Sequence, residues 1–386
     1  MPAGNAGDVH FWERCRGMKS SKAMLLTAGV VLTVLLAGNP CSAQEHAAWP
    51  ANWNNWSDPA LWAQVGNADN FGELSGAAGG QGAGPQALCG TVGYSYRVGK
   101  FEVTAGQYVV FLNAVASNED TYGLYNPSMD TAVDASGFGC NIKREGSPGH
   151  YNYSVAEDWA NRPVNWVSWG DAARFCNWLT KGRPEGGQDA STTEDGSYLL
   201  NGATTDEAMQ AVIRKSPLDG GRYYIPTENE WYKAAYHAND PGAPGGNYFD
   251  YPTANNSAPS NVLDDPDSGN NANFLAAEYT IDAPYYRTEA GEFENSPSPY
   301  GTFDQGGNVR EWNEAVILTD NRGLRGGSFG SDADSLRADH RDSYGLPSAE
   351  NGFTGFRIVE VPEPATLSLL ALGGLAMIRR RRGGGE

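Results

Sequence analysis

The chain has 386 residues, of which 40% are hydrophobic and 11% aromatic, so it can bury a substantial core. Its 49 glycines and 22 prolines predict a loop-rich fold with many turns. The net charge of −19 argues against nucleic acid and anionic lipid as partners, because an acidic protein repels phosphates.

Residues 1–43 are predicted to be a signal region for export. Lys19 and Lys22 give a basic start, an apolar run follows at 24–37, and the chain then reads Cys-Ser-Ala up to Ala43. This order is that of a secretory signal with a small-x-Ala cleavage pattern. We expect translation to start at Met18 and the signal to be cleaved after residue 43.

A Trp-, Asn- and Gly-rich segment follows, and we predict an irregular lead-in over 44–88. Its tryptophans are candidates either for stacking on sugar rings or for packing the lead-in against the domain. These tryptophans are Trp53, Trp56 and Trp62.

Three helices in the body carry N-terminal capping signals. A strand is predicted over 96–103, before the first helix, and the third helix is predicted to end near Ala238. His237 would there favour the helix dipole rather than bind a metal. The segments 182–221 and 241–307 are polar or rich in turn residues. The predicted capping residues are Thr104, Ser168 and Thr227.

Cysteine usage is consistent with export. Cys15 and Cys41 would leave with the signal, so that Cys89, Cys140 and Cys176 remain. We expect one disulfide and one buried thiol among these three, and the sequence leaves the pairing open.

Six sequence blocks in one order carry a family resemblance. The blocks are VGKFEVTAGQYVVFLNAV (98–115), RPVNWVSWGDAARFCNWL (162–179), YYIPTENEWYKAAYH (223–237), YGTFDQGGNVREWNEAV (300–316), LRGGSFG (324–330) and GFRIV (355–359). Together they resemble the formylglycine-generating enzyme family, also called the sulfatase-modifying factor domain. The resemblance implies one α+β domain over 89–360. That domain would be a loop-rich variant of the C-type-lectin-like fold with little regular secondary structure, tied by calcium.

Catalytic members of this family oxidise a sulfatase cysteine to formylglycine with copper and oxygen. They hold copper between two cysteines that follow the Gly-Gly-Ser block. In this sequence those two positions fall on Ser331 and Leu336, and no cysteine follows Cys176. Copper(I) prefers thiolate ligands, so we expect no catalytic residues and no copper here.

The resemblance also implies two calcium sites, since calcium binds carboxylate and carbonyl oxygens. The first group is Asn308, the carbonyl of Val309, and Glu311. The alternative is that Asn308 caps a turn and Glu311 is solvated. The second group has a shorter spacing than is usual in the family. Its members are Asn273, the carbonyl of Phe274, Asp282 and the carbonyl of Pro284.

The C-terminal segment 361–386 resembles a PEP-CTERM sorting tail. Val-Pro-Glu-Pro at 361–364 is followed by an apolar run at 365–378 and four arginines at 379–382. The resemblance implies an exosortase-type enzyme as partner, transient inner-membrane anchoring, and a final place on or outside a Gram-negative cell. The alternative is a short or tilted membrane anchor held by the arginines.

Two functions remain open from the sequence. One is a non-catalytic ligand-binding or extracellular matrix and surface protein, whose ligand would be a peptide or an exopolysaccharide component. The other is a sulfatase-modifying oxidoreductase that acts on protein cysteine with displaced catalytic residues. That enzyme would need a redox metal held by Asp339, His340 or Asp342.

Overall fold

The computed structural model describes residues 52–76, 86–239, 247–317, 321–342 and 345–362. The predicted signal region, and the apolar run and arginines of the sorting tail, lie outside the described residues. Within the described ranges, no helix has both the length and the apolar character needed to cross a bilayer.

Short strands and helices alternate with long ordered loops. The strands are β1 Trp62–Val65, β2 Glu73–Ser75, β3 Ala87–Cys89, β4 Tyr96–Gly99, β5 Ile142–Glu145, β6 Asn152–Val155, β7 Tyr223–Tyr224, β8 Arg310–Ile317, β9 Asn321–Arg325, β10 Thr354–Gly355 and β11 Val359–Glu360. The helices are α1 Ala105–Val115, α2 Glu157–Ala160, α3 Trp169–Thr180, α4 Asp206–Gln210 and α5 Glu228–Tyr236.

The largest sheet has four strands in the order β1-β4-β11-β7, and every pair is antiparallel. Val359 lies opposite Val98 on one side and opposite Tyr224 on the other. The last strand of the domain therefore lies between strands from its beginning and its middle. Strand β1 also shows that residues 62–65 are regular structure, unlike the irregular lead-in predicted for them.

The main core lies between this sheet and helices α1 and α3. Thr104, Ser168 and Thr227 each cap a helix, and all three predicted capping boxes are confirmed. Phe111, Phe175 and Trp178 pack on one another at ring-centroid distances of 5.3–5.7 Å. Strand β4 ends at Gly99, before the predicted end, because the amides of Lys100 and Val103 donate to separate segments, at the carbonyls of Leu61 and Phe356, instead of continuing one ladder.

The second sheet has the order β10-β8-β9, and its long strand β8 carries the predicted Asn-x-x-Glu segment into the interior. Buried side chains fix the loops around it. Arg287 is fully buried and donates to the carbonyls of Phe138 at 2.8 Å and Gly139 at 2.7 Å. Such side-chain bonds to backbone replace the regular hydrogen bonding that long loops lack.

All three cysteines of the body are free and buried, so the expected disulfide is absent. Cys140 and Cys176 belong to the main core, whereas Cys89 lies in a separate cluster with Trp231 and Tyr232. The thiols contribute to packing instead of cross-linking the chain. Burial raises the pKa of each thiol, which lowers its reactivity.

Two of the three lead-in tryptophans are core residues. Trp56 and Trp62 are 7% and 5% exposed, which matches packing against the domain rather than an open sugar platform. Trp53 is half-buried and lines a surface cavity with Arg183 and three asparagines.

Candidate functional site

The family's copper positions lie in a packed environment. Leu336 is fully buried and contacts Tyr251, Ala272 and Phe274 in an apolar cluster. Ser331 is 7% exposed, and its hydroxyl accepts a hydrogen bond from the Ser328 amide at 3.0 Å. Neither position offers a soft ligand, and one of them is part of the hydrophobic core.

The Gly-Gly-Ser block before these positions is a tight turn. Gly326 and Gly327 have φ values of 95° and 68°, which favour glycine. Phe329 follows as a fully buried ring, stacked on Phe353 at 5.0 Å. The turn therefore inserts an aromatic side chain into the interior.

Glu311, from the first predicted calcium group, is buried in an ion pair. Arg357 donates from Nε at 2.5 Å and from Nη2 at 2.6 Å to its two oxygens, and Trp231 Nε1 donates at 2.7 Å. Both oxygens thus have donors, and Glu311 is not solvated as the alternative interpretation expected.

Asn308, from the same group, is also engaged. Its Oδ1 accepts hydrogen bonds from Asn273 Nδ2 at 2.7 Å and from the amide and hydroxyl of Thr288 at 3.0 and 3.1 Å. Val309 beside it is buried. The side-chain oxygens of Asn308 and Glu311 therefore already accept hydrogen bonds from other protein groups. This group fits a calcium ion poorly, because a calcium ligand needs its oxygen free of such donors.

The second predicted group retains one free oxygen. Asn273 is 1% exposed, and its Oδ1 has no hydrogen-bond partner. The carbonyl of Phe274 accepts from Asn261 Nδ2 at 3.2 Å, while Asp282 and Pro284 lie exposed on the following loop. A buried acceptor without a donor, followed in the chain by an exposed carboxylate, fits a hard cation better than the first group does.

The alternative redox-metal residues are not gathered into a site. Asp339 pairs with Arg337 at 2.9 Å, and Asp342 pairs with Arg310 at 3.0 Å. Burial lowers the pKa of His340 between them. Over the described ranges, no three His, Cys, Asp or Glu side chains are placed to hold a metal ion.

A surface cavity of about 310 Å³ lies elsewhere, between the turn at 67–71 and the end of helix α5. Its lining combines amides, one carboxylate, one imidazole and one exposed ring. The lining residues are Asn67, Ala68, Asp69, Asn70, Phe71, His237, Ala238 and Asn247.

The turn at 67–71 is fixed by hydrogen bonds to and from neighbouring segments of the domain. Lys233 Nζ donates to the Asn67 carbonyl at 2.8 Å, and Tyr248 Oη donates to the Phe71 carbonyl at 2.8 Å. Asn70 Nδ2 donates to the Gly90 carbonyl at 2.8 Å. The turn therefore fixes the backbone of Phe71, whose ring is 82% exposed beside the cavity.

His237 is a neutral imidazole in this wall. Burial, followed by the charge of Lys233, lowers its pKa to about 4. Its Nδ1 lies 3.0 Å from the Tyr300 hydroxyl, and its ring stacks on that of Tyr300. A lowered pKa weakens the predicted interaction with the helix dipole, because that interaction requires a charged imidazole.

Comparison with known proteins decides the family. The profile of the sulfatase-modifying factor enzyme 1-like domain matches residues 74–361. The chain belongs to this family. The match confirms the predicted α+β, loop-rich fold of a formylglycine-generating-enzyme-like domain. A second profile, that of the PEP-CTERM protein-sorting motif, matches residues 360–382 and confirms the predicted sorting tail.

Several solved structures are similar to this family member. Treponema denticola variable protein 1 is 19% identical, with 78% of this chain and 95% of that chain covered and a TM-score of 0.41. CarF is 20% identical, with 78% and 98% covered and a TM-score of 0.41. PvdO from Pseudomonas aeruginosa is 17% identical, with 78% and 90% covered and a TM-score of 0.37. A search of curated proteins gives no match.

Sequence reasoning identified the family and the sorting motif but missed the cavity. The turn at 67–71 falls in the predicted lead-in, and its partners His237 and Asn247 come some 170 residues later. The usable signal was Phe71, an aromatic residue among short polar residues.

Proposed function

We propose that this family member is an exported, non-catalytic ligand-binding protein of the cell surface. The observation that carries the proposal is the environment of Leu336, an apolar side chain packed in the core at a position where catalytic relatives need a copper thiolate. A domain of this size that retains an open, polar cavity is suited to recognition.

The sorting motif supports the cellular side of the proposal. A PEP-CTERM motif implies recognition by an exosortase-type sorting enzyme and points to export to the surface. We further propose that the apolar run at 365–378 and the arginines at 379–382 anchor the chain transiently in the inner membrane before the tail is cut.

We propose that calcium binds as a structural ion at the second predicted group and not at the first. The free Oδ1 of Asn273 and the exposed carboxylate of Asp282 support it, whereas Asn308 and Glu311 already bind protein donors. Copper is not part of the proposal.

The proposal is tested with the purified exported protein in two assays. A cysteine-containing sulfatase peptide is incubated with the protein, copper and oxygen, and aldehyde is followed by mass spectrometry beside a catalytic family member. We expect aldehyde from the catalytic member alone, and saturable binding of this protein on a glycan or peptide array.

Formation of aldehyde by this protein would overturn the non-catalytic assignment and favour the oxidoreductase alternative. Absence of any ligand on both arrays would instead favour a purely structural matrix protein, which deletion of the gene would test through the shape of the biofilm.

A further inference from the structure

We propose that the cavity between the turn at 67–71 and helix α5 binds a neutral sugar ring of a glycan. This proposal rests on the ligand-binding function proposed above and names its site and ligand class. It follows from the exposed Phe71 ring, the amide-rich lining and the balanced charges around the cavity.

The Phe71 ring exposes its apolar face beside the cavity. It is 82% exposed, although its backbone carbonyl is held by Tyr248 and by the Asn70 side chain at 3.2 Å. An aromatic side chain that leaves most of its surface in water, on a backbone fixed in place, offers an apolar face to a ligand. The C–H face of a sugar ring supplies such a partner and leaves the sugar hydroxyls at the ring's edge.

The polar lining favours a ligand with hydroxyl groups. The exposed amide of Asn247 can both donate and accept hydrogen bonds, and Asn67, whose Nδ2 donates to Asn239 Oδ1 at 3.1 Å, offers its Oδ1 as an acceptor. Sugar hydroxyls can likewise donate and accept, and the exposed carboxylate of Asp69 adds two acceptor oxygens. Such a lining suits a polyhydroxylated ring better than a peptide, which binds through apolar side chains and an extended backbone.

Charge argues against an acidic ring. The exposed carboxylate of Asp69 lines the cavity, so an acidic sugar would be repelled by Asp69 and by the net charge of −19. A cationic ring would be attracted by Asp69, but the buried ammonium of Lys233 lies close enough to Asp69 to offset part of that attraction. The charges therefore favour a neutral ring over an acidic one.

Size is consistent with one ring. About 310 Å³ is at the lower end of the volumes of ligand pockets. A cavity of about 560 Å³ near helix α4 is larger, but its lining is mostly apolar, including Leu199 and Ile213. That lining offers few partners for hydroxyl groups.

The test uses the purified exported protein and a panel of neutral tetrasaccharides of glucose, galactose, mannose and N-acetylglucosamine, with glucuronic acid oligomers as acidic probes. Binding is measured by calorimetry, and saturation-transfer NMR identifies the protons nearest the protein. We expect at least one neutral probe to bind and the acidic probes to bind at least tenfold more weakly.

Matched variants locate the site. Phe71→Ala and Asn247→Ala should each weaken binding at least tenfold. Leu74→Ala and Asn118→Ala remove side chains that are also exposed but do not line the cavity, and these variants should bind as the parent does. All four changes lie on exposed positions, so equal melting temperatures would show that folding is retained.

The experiment separates failure of the proposed site from failure of the ligand class and of the proposed function. Sugar binding that survives Phe71→Ala and Asn247→Ala would overturn this site and leave the ligand-binding function standing. Binding to peptides without sugars would overturn the ligand class. No binding to either would overturn the proposed function itself.

Discussion

At the residue scale, the buried side chain of Arg357 joins segments that are far apart in the sequence. Besides Glu311, it donates to the carbonyls of Gly99 at 3.0 Å, Lys100 at 3.2 Å and Phe303 at 2.9 Å. One fully buried side chain thus links strand β4, strand β8 and the loop before β8. Removing one partner of such a pair leaves the other charge buried and unpaired.

We therefore expect Arg357→Met to lower the free energy of unfolding by about 3–5 kcal/mol, measured by urea denaturation. Arg222 forms an ion pair with Glu360 at 2.8 Å but is 56% exposed, and Arg222→Met is the matched control, with a loss of about 0–1 kcal/mol. Equal losses in the two variants would contradict a special role for the buried pair.

The three thiols give a second prediction at this scale. Because Cys89, Cys140 and Cys176 are free and buried, a thiol reagent should label none of them in the native exported protein and all three after unfolding. Reducing agent should leave the melting temperature unchanged. A shift to lower temperature on reduction would show that a disulfide forms after all.

At the element scale, the start of helix α3 is joined to the loop before β10 by two carboxyl groups. Asp171 accepts from the Ser168 hydroxyl at 2.6 Å, and Glu350 hydrogen-bonds to both Asp171 and Asn126. Burial, followed by the charge of Asp171, raises the pKa of Glu350 to about 8 from an ordinary 4.5. The pair therefore keeps a proton at neutral pH.

This pair predicts how stability depends on pH. Between pH 4.5 and about 8 the folded state keeps the Glu350 proton while the unfolded chain loses it, so this contribution to stability falls as pH rises. Glu350→Gln mimics the protonated group, and we expect it to flatten that part of the melting-temperature profile. Glu185→Gln, at an exposed position, should leave the profile unchanged. An unchanged profile in Glu350→Gln would refute the shared proton.

The same scale shows why sequence predicted some elements and not others. The helices α1, α3 and α5 can each be predicted from a capping residue and a run of apolar positions. The two-residue strands β7, β10 and β11 are too short to show a period. Strand β1 was missed because its burial pattern has two adjacent buried residues, Trp62 and Ala63, instead of alternation.

The features of the candidate site likewise divide into those that depend on local sequence and those that depend on distant partners. The assignment of Ser331 and Leu336 to the copper positions rests on a count from a local motif and stays a prediction. The ion pair of Glu311 could not be foreseen because its partner, Arg357, follows 46 residues later, and no local pattern pairs them.

At the scale of the whole molecule, calcium bound at the second predicted group would stabilise the long loop segment before β8. We expect calcium added to chelator-treated protein to raise its stability, by about 2.7 kcal/mol at a hundredfold excess over Kd, measured as a shift in melting temperature. Asn273→Ala should abolish the shift. Glu311→Gln should lower stability by the same amount with and without calcium. If instead Glu311→Gln abolished the calcium-induced shift and Asn273→Ala kept it, calcium would bind at the first predicted group.

The position of β11 links folding to export. The strand fills the place between β4 and β7, and the Val361 amide still donates to the Arg222 carbonyl at 3.1 Å, so ordered structure reaches the start of the sorting motif. A chain that crosses the membrane amino end first cannot complete this sheet until residue 360 has emerged. The sheet can therefore close no earlier than the point at which the sorting signal begins to follow it across the membrane.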